Sequence, residues 1–157
     1  MPLVPSSLAS SLESSWLGKE NGSFPDSVSV SADRFATAFS SWFALAIAGP
    51  GAVTTAAARR SQLASQAIGA LSAMSAESAG SQLATAIAAY VTGQSFGPGV
   101  ASAPLATAAA GVQLGSAFAD TNAPPSARAQ RIAAACLLLA VSTLVIYPPP
   151  TPPAPVT

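Results

Sequence analysis

The sequence predicts an all-α protein: a bundle of five or six alanine-rich helices followed by an extended proline-rich C-terminal tail. Three observations predict it. Large apolar side chains recur at offsets of three and four, alanine fills the positions between them, and glycine–proline clusters cut the chain into helix-sized pieces. No segment shows the period-two alternation of a half-buried strand.

The first helix is expected over residues 5–17, opened by Pro5-Ser6-Ser7, with Leu8, Leu12, Trp16 and Leu17 on one side as a packing face. Gly18-Lys19-Glu20-Asn21-Gly22-Ser23 is the most polar run and reads as a surface loop. From Asp26 or Ser27 to Ala48, Phe35, Phe39, Trp42, Phe43, Ala46 and Ile47 form an aromatic stripe at helical spacing. No convergent polar groups accompany it, so it reads as core and not as a cofactor box. Gly49-Pro50-Gly51 ends this helix, and the chain is expected to reverse there into an antiparallel helix.

Residues 53–75 carry Leu63, Ala67, Ala70, Leu71 and Met74 on one face, and a helix starting near Glu77 carries Leu83, Ala86, Ile87, Tyr90 and Val91. Ser61-Gln62-Leu63-Ala64 recurs as Ser81-Gln82-Leu83-Ala84, but four residues in alanine-rich sequence match by chance, and no repeat is read. Small side chains on facing sides let helix axes approach toward about 8 Å, so alanine here serves closeness more than buried area. Residues 92–104, with Gly93, Gly97, Pro98, Gly99 and Pro104, read as a turn or loop. Gly97-Pro98-Gly99 lacks the lysine and hydroxyl residue of a phosphate loop. Pro104 opens another helix through Leu105, Val112, Leu114 and Phe118, in which Gly111 and Gly115 each cost roughly 1 kcal/mol relative to alanine.

The last helix, residues 126–147, is apolar nearly all round after Arg128 and Arg131, so it is buried in protein or lies in a membrane. The predicted core is Phe35, Phe39, Trp42, Phe43, Leu63, Leu71, Leu83, Ile87, Leu137, Leu138, Leu144 and Ile146. Residues 1–147 are expected as one helical domain and residues 148–157, mostly proline, as a polyproline-type tail.

Of the 157 residues only 8% are charged, six basic and six acidic, against about 25% in an ordinary soluble domain. Such a surface suits a permanently packed environment. No basic run exceeds Arg59-Arg60, so no specific nucleic acid is expected as a partner. Histidine is absent, the carboxylates are scattered, and Lys19 is the sole lysine; no catalytic, cofactor or metal site is read, and the protein is expected not to be an enzyme. Cys136 reads as a small buried hydrophobe. The N-terminus lacks the basic and apolar regions of a signal peptide, and the chain is read as used without export.

The opening Met1-Pro2-Leu3-Val4-Pro5-Ser6-Ser7-Leu8, the alanine-rich helices, the segment from Ala89-Tyr90-Val91-Thr92-Gly93 through Gln94-Ser95-Phe96-Gly97-Pro98-Gly99, and the ending Ile146-Tyr147-Pro148-Pro149-Pro150 resemble small virion proteins of tailed bacteriophages. The resemblance implies a non-enzymatic neck, tail or baseplate component of the virion, present in several copies and contacting other virion proteins and copies of itself. It transfers no functional residue. From the residues themselves, Pro2, Val4, Pro5, Arg128, Arg131, Tyr147, Pro148, Pro149, Pro150, Pro152 and Pro153 are the candidate partner contacts. Arginine near a helix N-terminus runs against the dipole, so Arg128 and Arg131 call for a carboxylate, with Asp120 and Glu77 as candidates. The alternative is a small membrane-inserted or pore-forming protein that uses residues 132–147. A helix of that length reaches only about 24 Å against the ~30 Å hydrocarbon core, so a membrane is the less favoured partner.

Overall fold

The computed structural model describes residues 3–18 and 25–157. Pro2 and the polar loop expected after Gly18 lie outside them. The chain is mostly helical and also carries two small antiparallel sheets, which the sequence reading did not include.

The elements follow one another as three units of two helices and a strand hairpin. The first holds α1 (Pro5–Leu12), extended by a π-helical turn over Glu13–Leu17, then α2 (Val28–Phe43), β1 (Ile47–Ala48) and β2 (Gly51–Ala52). The second holds α3 (Arg60–Leu71), α4 (Ala76–Val91), β3 (Ser95–Phe96) and β4 (Gly99–Ala101). The third holds α5 (Thr107–Ala119), α6 (Pro125–Val141), β5 (Leu144–Ile146) and β6 (Ala154–Pro155).

Local chemistry explains the helix starts. Pro5 and Pro125 occupy first-turn positions, where a missing N–H costs nothing. Ser27 and Ser75 accept hydrogen bonds from Val30 N–H (3.3 Å) and Ser78 N–H (3.1 Å) as N-caps. Each helix packs on the next and α6 packs on α1, so the six helices close a circuit. At its centre the aromatic stripe of α2 forms a line of rings: Trp16 on Phe35 at 5.0 Å, Phe35 on Phe39 at 6.1 Å, and Phe39 on Phe43 at 5.8 Å. Tyr90 of α4 meets Phe39 edge-on at 5.5 Å, and Phe96 of β3 meets Phe43 at 6.3 Å. The ring line therefore ties the helices to the hairpins.

The strands close a circuit as well. β1 pairs with β2, β3 with β4, β4 with β5, and β5 with β6, all antiparallel. Val53, just after β2, bridges to Phe96 of β3. At the other end, Thr157 and Ile47 exchange two backbone hydrogen bonds of 2.8 and 3.1 Å. Among the described residues, one isolated bridge and one pair of backbone bonds thus join the two sheets into a ring.

Several expectations are corrected. The last helix does not run to Tyr147: it ends at Val141, where Ser142 and Thr143 return their hydroxyls to Leu139 C=O (3.1 and 2.9 Å). Leu144-Val145-Ile146 then alternate exposed, buried, exposed as a strand. Leu144 (41% exposed) and Ile146 (58%) are therefore outside the core, and Val145 and Tyr147 are inside it. Leu71, Leu137 and Leu138 are only partly buried. With α6 ended there, residues 132–147 are no single span, and no helix of the described residues is long and apolar enough to cross a membrane.

Residues 44–48 leave the helix, residues 53–59 are bridge, bend and turn, and residues 92–104 hold a hairpin. The cause is shared: Gly49-Pro50 and Gly97-Pro98 are two-residue hairpin loops, with the glycines at φ 51° and 60° and proline at its own fixed φ. The proline-rich tail is part of the fold: Ala154–Pro155 is β6, and Val156 is fully buried.

Candidate functional site

Charge divides the molecule. Among the described residues all ten charged side chains fall on helices or on the segments that lead into a helix, and none falls in a strand or hairpin loop. The hairpin circuit is instead alanine, glycine, proline, serine and threonine with a few large apolar side chains. Its outer face exposes Val100 (50%) and Ile146 (58%), which are direct partners across β4 and β5, with Leu144 two residues along the same face. Pro155, opposite Leu144 on β6, is exposed too. Leu105 (84% exposed) is tied by its N–H to Ser142 C=O beside them. Alternation in β5 puts these residues outside because Val145 and Tyr147 point in.

The structure places the candidate contact residues in three groups. Val4 is half exposed and its C=O accepts the Trp42 indole N–H at 2.9 Å, while Pro5 starts α1, half-buried. Since Trp42 is near the end of α2 that leads to β1, both sit toward the hairpins. Pro148, Pro149, Pro150, Pro152 and Pro153 are exposed in the β5–β6 connection. Tyr147 is in the interior, donating its phenol hydrogen to Ala48 C=O. Arg128 and Arg131 start α6, at the far end of that helix from β5. Arg131 pairs with Asp120 at 2.8 Å, and Arg128 donates to Ala117 C=O at 3.4 Å. Of the two carboxylates considered, Asp120 is the one reached. The Arg131 hydrogen bond, more than any other influence, holds the Asp120 carboxyl below its usual range.

Arg59 has a role that the sequence reading missed. Its guanidinium donates to Thr92 C=O and to Ala89 C=O (3.2 Å), closing the C-terminus of α4 from the start of α3. Only an arginine just ahead of a helix hinted at it.

Burial acts on two titratable groups of the core, Tyr90 and Cys136. Burial pushes the Tyr90 phenol well up, only partly offset by Gln94 and Arg59, and its O–H donates to Ala56 C=O at 2.7 Å. Burial alone raises the Cys136 thiol. A polar hollow between α1 and α2 holds Asp33, Arg34 and Arg60, whose groups serve one another: Arg60 reaches Asp33 at 3.9 Å and Thr37 at 3.0 Å, and Arg34 reaches Ser15 C=O at 3.3 Å. Among the described residues no three metal-ligating side chains converge. Comparison of the chain with protein-family profiles, curated proteins and solved structures returns no match.

Proposed function

We propose that the protein is a non-enzymatic structural subunit of a multi-protein assembly, a tailed-phage virion component at the neck, tail or baseplate, joining neighbouring virion proteins and copies of itself. The observation that carries the assembly reading is the hairpin end: a layer without charge whose outer face exposes Val100, Leu144, Ile146 and Leu105 together. An apolar patch of this kind on a small protein marks a surface that another protein covers. The virion placement comes from the resemblance of the sequence.

The test is to place charge on the patch. Val100→Glu with Ile146→Glu alters two outward side chains and no core contact, so helical circular dichroism and the melting temperature should stay close to wild type. Light scattering over a wide concentration range should show wild type associating with itself and the double variant remaining monomeric. A wild-type chain as monodisperse as the variant at every concentration overturns self-association through this patch.

A further inference from the structure

Two of the three hairpins turn through two-residue Gly-Pro loops, and the third does not. Between Ile146 and Ala154 the chain runs through Tyr147 and then a loop of six residues, all outside the strands and five of them proline: Pro148, Pro149, Pro150, Thr151, Pro152 and Pro153. All six are exposed, and within the loop Thr151 N–H donates to Pro148 C=O at 3.2 Å. Proline fixes φ near −65° and favours the extended polyproline conformation, in which six residues reach about 19 Å. The intrinsic preference of this loop is to extend, and the hairpin makes it turn back.

Beyond the loop, residues 154–157 fill a slot whose two walls are β5 and β1. Pro155 and Ala154 pair with Leu144 and Val145, Val156 N–H donates to Thr143 C=O at 3.1 Å, and Thr157 exchanges two hydrogen bonds with Ile47. Val156 is the one large side chain of the segment and is fully buried. The slot therefore recognises an extended, uncharged strand by backbone pairing on both sides and by one apolar pocket. β-Strand addition uses the same two elements.

We propose that residues 154–157 form an exchangeable strap: the β5–β1 slot accepts the same four residues from a second copy of this chain, and copies join by reciprocal strand exchange. The inference rests on the assembly reading above and supplies a mode of self-contact separate from the outer apolar patch. Contacts inside the slot are the same whichever copy donates the strap. The loop, freed from reversing, favours the exchanged form, and protein concentration drives it.

Ile47 and Thr157 provide the test, because their hydrogen-bonded antiparallel pairing brings the two backbones to a separation a disulfide can span. One full-length chain carries Ile47→Cys and a second carries Thr157→Cys; they are mixed at rising concentration under mild oxidation and read on a non-reducing gel. A chain with both substitutions, which should close the bond within itself, checks the geometry. Exchange predicts a covalent heterodimer that grows with concentration and falls roughly tenfold or more when the Thr157→Cys chain also carries Val156→Asp, since the apolar anchor is then lost. The proposal is overturned if the doubly substituted chain closes its own disulfide while the mixture yields no heterodimer, or if Val156→Asp leaves the heterodimer yield unchanged. Light scattering of the same mixture separates the two readings: association without the crossed disulfide keeps the assembly reading and removes strand exchange.

Discussion

Adding one methyl group to different glycines of this protein should move its stability in opposite directions. Gly80 of α4 lies where α5 crosses it, and a Cβ built there would stand 2.5 Å from Gly115 Cα and 2.6 Å from Gly111 O. Both obstacles are backbone, so no side chain can swing aside, and the helices would have to part by about 1 Å to restore ordinary contact. Overpacking of this kind costs about 1–3 kcal/mol, or more, while alanine returns about 1 kcal/mol of helix propensity. The net expectation for Gly80→Ala is a loss of up to about 2 kcal/mol, a fall in melting temperature of up to roughly 8 °C for a chain of this size. Gly69, on the exposed side of α3, has nothing within 4 Å of its Cβ position, so Gly69→Ala keeps the propensity gain and should raise stability by about 0.5–1 kcal/mol. Gly111→Ala and Gly115→Ala, whose nearest obstacles are at 3.2 and 3.1 Å, should fall between the two. Thermal and urea unfolding of the four variants measures the series. If Gly80→Ala is as stable as Gly69→Ala, the close approach of α4 and α5 is wrong.

Two further expectations concern single polar contacts. Tyr147→Phe removes the donor to the buried Ala48 carbonyl and should cost about 1–2 kcal/mol in urea unfolding; an unchanged midpoint would mean that the phenol does not reach β1. Asp120 has a folded pKa depressed chiefly by its Arg131 hydrogen bond, so its contribution is present above the unfolded aspartate pKa and is lost as pH falls through the folded one. The stability difference between wild type and Asp120→Asn should accordingly be present at neutral pH, vanish in acid, and shrink in high salt, since the pair is exposed. A carboxyl NMR titration that places Asp120 within the ordinary aspartate range would refute the pairing.

The helices were legible because apolar side chains recur at the 3.6-residue period, and because α1, α2, α4 and α6 have a proline or serine at their start. Phe35, Phe39, Trp42 and Phe43 are buried as their spacing requires, as are Leu63, Leu83 and Ile87. The strands were not legible because two or three residues are too few to show alternation. Gly49-Pro50-Gly51 and Gly97-Pro98-Gly99 read equally well as helix terminators, yet their recurrence with a helix before each was the mark of a repeat. The tetrapeptide shared by residues 61–64 and 81–84 belongs to two successive helices of one unit and marks nothing. Leu144 and Ile146 were assigned to the core by extending a helical period to Tyr147, past Ser142 and Thr143, whose hydroxyls turn back on α6. The outer patch follows from that same switch of period, so the sequence alone offered no route to it.

The third unit departs from the other two where the three hairpins meet. In the first two, the residue after the loop proline is glycine, Gly51 and Gly99, and each leaves open the volume that a side chain would fill. Tyr147 of the third unit occupies it at Gly99, where a Cβ would stand 2.5 Å from its Cε1, and shares it at Gly51 with the Phe96 carbonyl: a Cβ there would stand 2.6 Å from the Tyr147 hydroxyl and closer still to Phe96 O. Three identical hairpins could not close this end, since three glycines would leave a hole and three tyrosines would collide. Tyr147 seats its hydroxyl on β1 and its ring on β4, which leaves Pro148 and the residues after it to cross the outside before Val156 re-enters between β5 and β1. The proline-rich connection therefore runs outside the tyrosine that fills the centre, and the strap it carries completes the strand circuit.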